Sequence, residues 1–262
     1  MRNIKLILEY DGSRYDGWQR QGNTENTIQG KLEMVLGRMT GHPAEVCGAG
    51  RTDEGVHAQG QTANVRVPEH FTAGEVMDYL NTYLPEDIRV VRAEEVGERF
   101  HSRLNARGKL YRYRIWTGSR RPVFERKYLC GLGHGLNAAA MRRAAENLVG
   151  TRDFKSFCGN RKMKKSTVRT LYSIDIQEKG EEIALDFYGD GFLYHMVRIL
   201  AGTLMEVGEG KRSPESMADI LAARDRQAAG PTAPAEGLCL VRVDYDGEAG
   251  GRPARRQNGG QR

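Results

Sequence analysis

A mixed α/β fold is the reading of this 262-residue chain, and three patterns carry it. Alternating apolar and polar residues, as from Ile4 to Tyr10, mark strands. Apolar residues three and four apart, as in Ile28, Leu32, Val35, Leu36 and Met39, mark helices. Both patterns recur on either side of residues 104–108. With 39% apolar and 28% charged residues, the chain has the composition of a folded soluble protein, long enough for one large core or two small ones. No apolar run nears the roughly 20 residues that span a bilayer. The start MRNIKLILEY, with a charge in every other slot, lacks the apolar core of a signal peptide, so a cytoplasmic protein with no membrane contact is expected.

The elements follow in order. A strand over residues 4–10 runs into an Asp11-Gly12-Ser13 turn. The helix starting at Ile28 has Asn26 or Thr27 as its cap and Gly41 as its stop. The loop GAGRTDEGVHAQGQTANV, residues 48–65, empties into a strand in which Ala63, Val65 and Val67 alternate with Thr62, Asn64 and Arg66. A helix over 73–83 ends before Pro85, and 88–96 read as strand. Lys109 to Trp116 is again strand, and Asn137 to Val149 a helix capped by Asn137 and closed by Gly150. Residues 170–177 and 182–188 pair as a hairpin around Glu178-Lys179-Gly180-Glu181. A helix follows from near Asp190-Gly191 to Gly208, and another from Pro214 to about Ala223. The expected organisation is an N-terminal part over 1–105, a C-terminal part over 106–246, and a disordered basic tail over 247–262.

Charge points to a polyanionic partner. The net charge is +6, but residues 103–127 alone carry nine Lys/Arg against Glu125, and residues 151–170 carry seven against Asp153. Two positive segments nearly free of acid suit a nucleic acid, and the plain alternative is a solvated basic surface. Cys47, Cys130, Cys158 and Cys239 form no Cys-x-x-Cys pair and have no histidines at zinc-ligand spacing, so four reduced thiols are expected and no metal site.

Three stretches carry candidate chemistry. In GRTDEGVHA, Asp53 has no second carboxylate at i+2 or i+4, which argues against a metal loop. In an extended chain Glu54 would point away from Asp53, and Arg51 would share its side, able to pair with it or to contact a phosphate. The plain alternative is a turn in which Asp53 bonds its own backbone. In KLYRYRIW, Tyr111, Tyr113 and Ile115 share one strand face and Arg112 and Arg114 the other, an interleaving that suits bases and phosphates but also ordinary strand packing. In DGFLYHMVRILAG, Leu193, Met196, Val197, Leu200 and Leu204 form a stripe, with Tyr194 and Arg198 on an adjacent face. By default Arg198 is a surface arginine on an amphipathic helix.

Taken together these stretches resemble the TruA-type tRNA pseudouridine synthases. GRTDEGVHA resembles their signature loop, with Glu54 where alanine is more usual. EYDGSRYDGWQRQ, LNTYLPEDI, FHSR followed by KLYRYRI, GTRDFKSF and GDGFLYHMVR resemble other family motifs in the same order, to about residue 245. The resemblance implies two mixed α/β domains built on antiparallel sheets flanked by helices, a basic cleft between them, and a homodimer that grips tRNA. It places the family's catalytic aspartate on Asp53, its active-site tyrosine on Tyr111 and its supporting arginines on Arg51 and Arg198. The implied reaction is isomerisation of uridine to pseudouridine at positions 38–40 of the tRNA anticodon stem-loop, with neither cofactor nor metal. A synthase of the family acting on another RNA is the alternative. A glycoside or nucleoside hydrolase would want a second carboxylate roughly 5–9.5 Å from the first, and no other acid has a claim comparable to Asp53. A binding protein without chemistry would be expected to lack Asp53 or Tyr111.

Overall fold

Among the described residues, the strand and helix patterns assemble into a single ten-stranded, mostly antiparallel sheet with five α-helices. A computed structural model describes residues 1–160 and 162–246; the tail expected over 247–262 lies outside the described residues. Strand β1 (Arg2–Tyr10) pairs antiparallel with β3 (His57–Val67) on one side and β4 (Ile88–Val96) on the other. The short β2 (Val46–Gly48) adds to β3. In the second half β5 (Gly108–Trp116) pairs with β9 (Glu182–Gly189), β9 with β8 (Val168–Lys179), and β8 with β7 (Gly150–Asp153). The two-residue β6 (Cys130–Gly131) lies beside β5. The last strand, β10 (Leu238–Asp244), inserts between β3, to which it is parallel, and β5, to which it is antiparallel. The sheet therefore continues across residues 104–108.

The sequence explains where the helices sit. Helix α1 (Ile28–Thr40) is capped by the Thr27 side chain and closed by Gly41 in the left-handed region; α2 (Ala73–Tyr83) has a capping box of Thr72 and Glu75. Their apolar faces, including Leu32, Leu36, Val76 and Leu80, are fully buried. Helix α3 (Ala138–Glu146) is capped by Asn137 but ends three residues earlier than its periodicity suggests. Gly150, at φ 102°, opens β7 instead of closing a helix. Helix α4 (Met196–Gly208) starts later than expected: residues 190–195 are irregular, and His195 sits before the first turn at φ 59°. Leu193 and Tyr194 thus precede the helix; Leu193 is buried all the same and Tyr194 is exposed. Helix α5 (Ser216–Ala223) follows. The strand that alternates Ala63, Val65 and Val67 with polar residues is covered on both sides, since Thr62 and Asn64 are buried as well. No helix among the described residues is long and apolar enough to cross a membrane. The four cysteines are free thiols, two of them buried.

Candidate active site

The loop before β3 is clamped from beneath by residues 10–19. Trp18 donates its backbone N–H to the Thr52 carbonyl at 3.0 Å, and Gly55 donates to the Tyr15 carbonyl at 3.3 Å. The Tyr10 and Thr52 hydroxyls bond at 2.8 Å, and Gly12 donates its N–H to Nδ1 of buried His57 at 3.0 Å. Gly12 has to be glycine: a Cβ there would lie 2.0 Å from the Val56 carbonyl oxygen. On the other side Gln61 donates to the Gly50 carbonyl and Ala49 to that of Thr62. Asp53 opens a turn that its own carbonyl closes onto the Val56 N–H at 3.2 Å, with Gly55 at φ 75° as the residue such a turn requires. The chain is therefore not extended past Asp53, and exposed Glu54 heads the turn.

The turn uses only the backbone of Asp53. Its carboxylate reaches across the molecule to α4, where Arg198 Nη1 donates to Oδ2 at 3.3 Å and His195 Nε2 lies 3.5 Å from the same oxygen. The Asp53 side chain keeps 20% of its surface exposed, so it is oriented by protein and still open to a substrate. Arg198 is fixed in turn: its Nε donates to the Ala233 carbonyl at 2.8 Å, and Ala233 donates its N–H back to the Arg198 carbonyl at 3.1 Å. The parallel pairing of β3 with β10 brings these parts together, because it sets the segments that precede both strands side by side. His195 occupies a left-handed conformation that a non-glycine residue holds only under strain, and its ring stacks on Tyr194 at 3.7 Å. Burial, with Arg198 and Arg226 nearby, pushes its pKa down despite the Asp53 carboxylate, so the imidazole is neutral at neutral pH.

Tyr111 sits beside the Asp53 loop, its hydroxyl 3.7 Å from where a Cβ on Gly50 would lie. Its ring is buried and meets Phe192 edge-on at 5.1 Å, and its hydroxyl has no hydrogen bond among the described residues. Burial first, then Tyr10 and the Asp53 charge, push its pKa far up, which keeps the phenol protonated. Asp53, Tyr111 and Arg198 are thus brought together. Arg51 is not: it is exposed, and its Nε donates to Gln19 Oε1 at 2.9 Å, pointing away from the carboxylate it was expected to accompany. The cation beside Asp53 is Arg198, 145 residues along the chain. His195 was not singled out from the sequence, although it lies three residues before Arg198 in GDGFLYHMVR.

Around the pocket the basic segments divide. Arg112 and Arg114, on the far face of β5, are held by Asp186 and by Glu182 and Glu125. Lys162, Lys164 and Lys165 are exposed and make no ion pair among the described residues. A cleft of about 490 Å³ opens beside His195, lined by Arg212, Arg226, Gly230 and Thr232. Among the described residues no three His, Cys, Asp or Glu side chains are grouped to hold a metal ion.

Comparison with known proteins bears directly on this arrangement. A family profile described as tRNA pseudouridine synthase matches residues 6–105 and 144–246. A tRNA pseudouridine synthase A of Bacillus sp. (strain KSM-64) is 49% identical over 245 residues, 94% of this chain and 100% of that protein. The proteins of the same name from Geobacillus kaustophilus and Clostridium acetobutylicum are 44% and 43% identical, over 94% of this chain and 96% and 100% of theirs. A looser likeness is the crystal structure of a Cbf5-Nop10-Gar1 complex, 12% identical with a TM-score of 0.39 over 91% of this chain and 49% of that one.

Proposed function

Because the chain belongs to the tRNA pseudouridine synthase family, we propose that Asp53 is the catalytic carboxylate of its uridine isomerisation, with Tyr111 and Arg198 shaping the pocket around it. The enzyme is an isomerase that converts uridine to pseudouridine in tRNA. In that reaction the C1′–N1 bond breaks, the uracil turns, and C5 bonds to C1′. The hydrogen on C5 leaves to solvent and N1 gains one, so the nucleoside mass is unchanged. The electron-deficient sugar or the ring needs an anionic partner while the base is detached, and an ionised aspartate can be that partner. Arg198 aims the Asp53 carboxylate. The uridine must first leave its stack, and the Tyr111 ring gives the extruded base an apolar wall. Arg51, exposed at the mouth, is free to swing from Gln19 to the RNA strand.

One observation carries this reading: a mostly buried but still accessible carboxylate on a clamped loop, held at 3.3 Å by an arginine that is itself held by backbone. The finer parts rest on the motif resemblance. They are modification at positions 38–40 of the anticodon stem-loop, a homodimer, a cytoplasmic site of action consistent with four free thiols, and a division near residues 105/106 into a half bearing Asp53 and a half bearing Tyr111 and Arg198. The test is to incubate the protein with tRNA tritiated at C5 of uridine, without metal or nucleotide. Tritium in water with no free uracil supports the isomerase, and mapping the released positions tests the stem-loop. Free uracil would sink the assignment.

A further inference from the structure

One cation beside the pocket has no acid to balance it. Lys109 begins the face of β5 that continues through Tyr111 and Tyr113 into the core. Its Nζ donates to the Ala49 carbonyl at 2.7 Å, which sets the ammonium under the backbone of the Asp53 loop. A Cβ built on Gly50 would lie 3.2 Å from that Nζ and 3.7 Å from the Tyr111 hydroxyl, so the open side of Gly50 is bounded by an ammonium and a phenol. Among the described residues no carboxylate lies within ion-pair distance of Lys109. The charged groups that act on it are Arg103, from the 97–107 segment, and Arg169, near the start of β8. Arg103 has no side-chain partner among the described residues, and the bonds of Arg169 run from Nη1 to the Ser166 and Val168 carbonyls, at 3.0 and 2.6 Å.

We propose that Lys109, Arg103 and Arg169 form an anion site beside the Asp53 loop, and that it takes a backbone phosphate of the RNA strand carrying the target uridine. The inference rests on the tRNA-isomerase reading, which supplies the polyanion. Arg103 and Arg169 both repel the Lys109 ammonium, which burial also strips of hydration, so the free protein is strained there by charge. A tether for Ala49 needs only a neutral donor; an ammonium keeps two further N–H groups unspent and a charge with no counterpart. A phosphate relieves both, and it would fix the strand one nucleotide's reach from Tyr111 and Asp53. Burial, then Arg103 and Arg169, bring the Lys109 pKa down to about 8, and a bound phosphate would raise it again.

Proton uptake is the reading that a merely structural lysine would not give. The RNA is the tRNA shown to release tritium, so failure of the isomerase reading would already be visible in that assay. Calorimetry of RNA binding to the Asp53→Asn protein, at pH 8.5 in two buffers of different ionisation enthalpy, measures protons taken up. With a pKa of about 8 in the free protein, wild-type Lys109 should take up roughly 0.7 proton per chain. Lys109→Arg, charged throughout, should retain most affinity and lose that uptake. Arg103→Gln, on an exposed side chain that leaves the core untouched, should weaken binding several-fold and reduce the slope of log affinity against log salt by about one. Equal uptake in wild type and Lys109→Arg, or an unchanged salt slope in Arg103→Gln, would overturn the site.

Discussion

Strand β5 has two faces, and they treat positive charge in opposite ways. On one, Arg112 meets Asp186 through two bonds of 2.7 Å, and Arg114 meets Glu182 at 2.7 and 2.9 Å and Glu125 at 2.8 Å. Asp186 is the residue opposite Arg112 in the register and Glu182 lies diagonally across from Arg114 on the same neighbouring strand, so these two pairs are built into the sheet. On the other face Lys109 has only a carbonyl for a partner, and Tyr111 closes a pocket in which Asp53 finds Arg198. A count of Lys and Arg in residues 103–127 does not tell the two faces apart. On this strand only pairing separates them: Arg112 and Arg114, matched by carboxylates, belong to the fold, and Lys109, without an acid, is left for a ligand.

The largest test of that contrast is Asp53→Asn against Arg112→Met. Asparagine is nearly isosteric with aspartate, so folding and tRNA affinity should survive while single-turnover pseudouridine formation falls by about 10³-fold or more. Arg112→Met removes a charge of the same strand but leaves the pocket intact. Its turnover should stay within a few-fold of wild type, while unfolding in urea shows a loss of about 1–2 kcal/mol from the stranded Asp186. Activity within tenfold of wild type in Asp53→Asn would remove the carboxylate from the chemistry. A large catalytic loss in Arg112→Met would erase the distinction between the faces.

Arg198→Met should come next, with turnover down by about 10²-fold and binding reduced less, because its guanidinium aims Asp53 more than it grips RNA. Measuring kcat and KM separately decides this: a loss confined to KM would make Arg198 an RNA contact. The bond to Ala233 would also be lost, so the melting temperature must be followed in parallel.

How much of this was readable beforehand varies with the range of the interaction. Helix α1 began and ended where its caps said, because capping is settled by side chains within three residues, and α2 fell on the expected 73–83. The start of α4 was misplaced because Leu193 continues the apolar stripe, while the left-handed His195 that breaks the helix has no local spacing to betray it. Strand β10 was not anticipated, and its place between β3 and β5 depends on pairings more than 100 residues apart. The site follows the same rule. Asp53, Tyr111 and Arg198 could be named from motifs, yet that Arg198 and not Arg51 faces Asp53 is a fact of the sheet junction. Lys109 lay inside a quoted motif and drew no notice, since its lack of an acid partner shows only after folding.

A smaller effect separates free surface cations from paired ones. If Lys162, Lys164 and Lys165 hold phosphates, changing all three to glutamate should flatten the dependence of log affinity on log salt by about two to three units. Reversing Lys127, which sits 3.5 Å from Asp11, should change it by less than one. Equal slopes in both variants would mean that ion pairing in the free protein does not predict which cations meet RNA.

The smallest expected effect uses protons instead of substitutions of charge. His57 lies buried under the Asp53 loop, and His195 faces the cleft; burial is the main cause that pushes both pKa values below the usual 6.5. The unfolded chain therefore binds more protons than the folded one in the window below pH 6.5. Stability is full above that pH and is lost as pH falls through it toward the folded values. The carboxyls of Asp11, Glu94 and Glu182, held low by their partners, add their own loss only near or below about pH 4.5. Melting temperatures taken between pH 7.5 and 5.5 thus isolate the histidines, and a drop of a few degrees is expected. His57→Gln should flatten that drop whether or not RNA is present. His195→Asn, which tolerates the left-handed backbone, should flatten it in the free protein but little in the RNA complex. There a nearby phosphate would already favour the protonated imidazole and remove most of its share. Identical behaviour of the two variants with and without RNA would place His195 outside the field of the bound strand, and so outside the cleft side of the comparison.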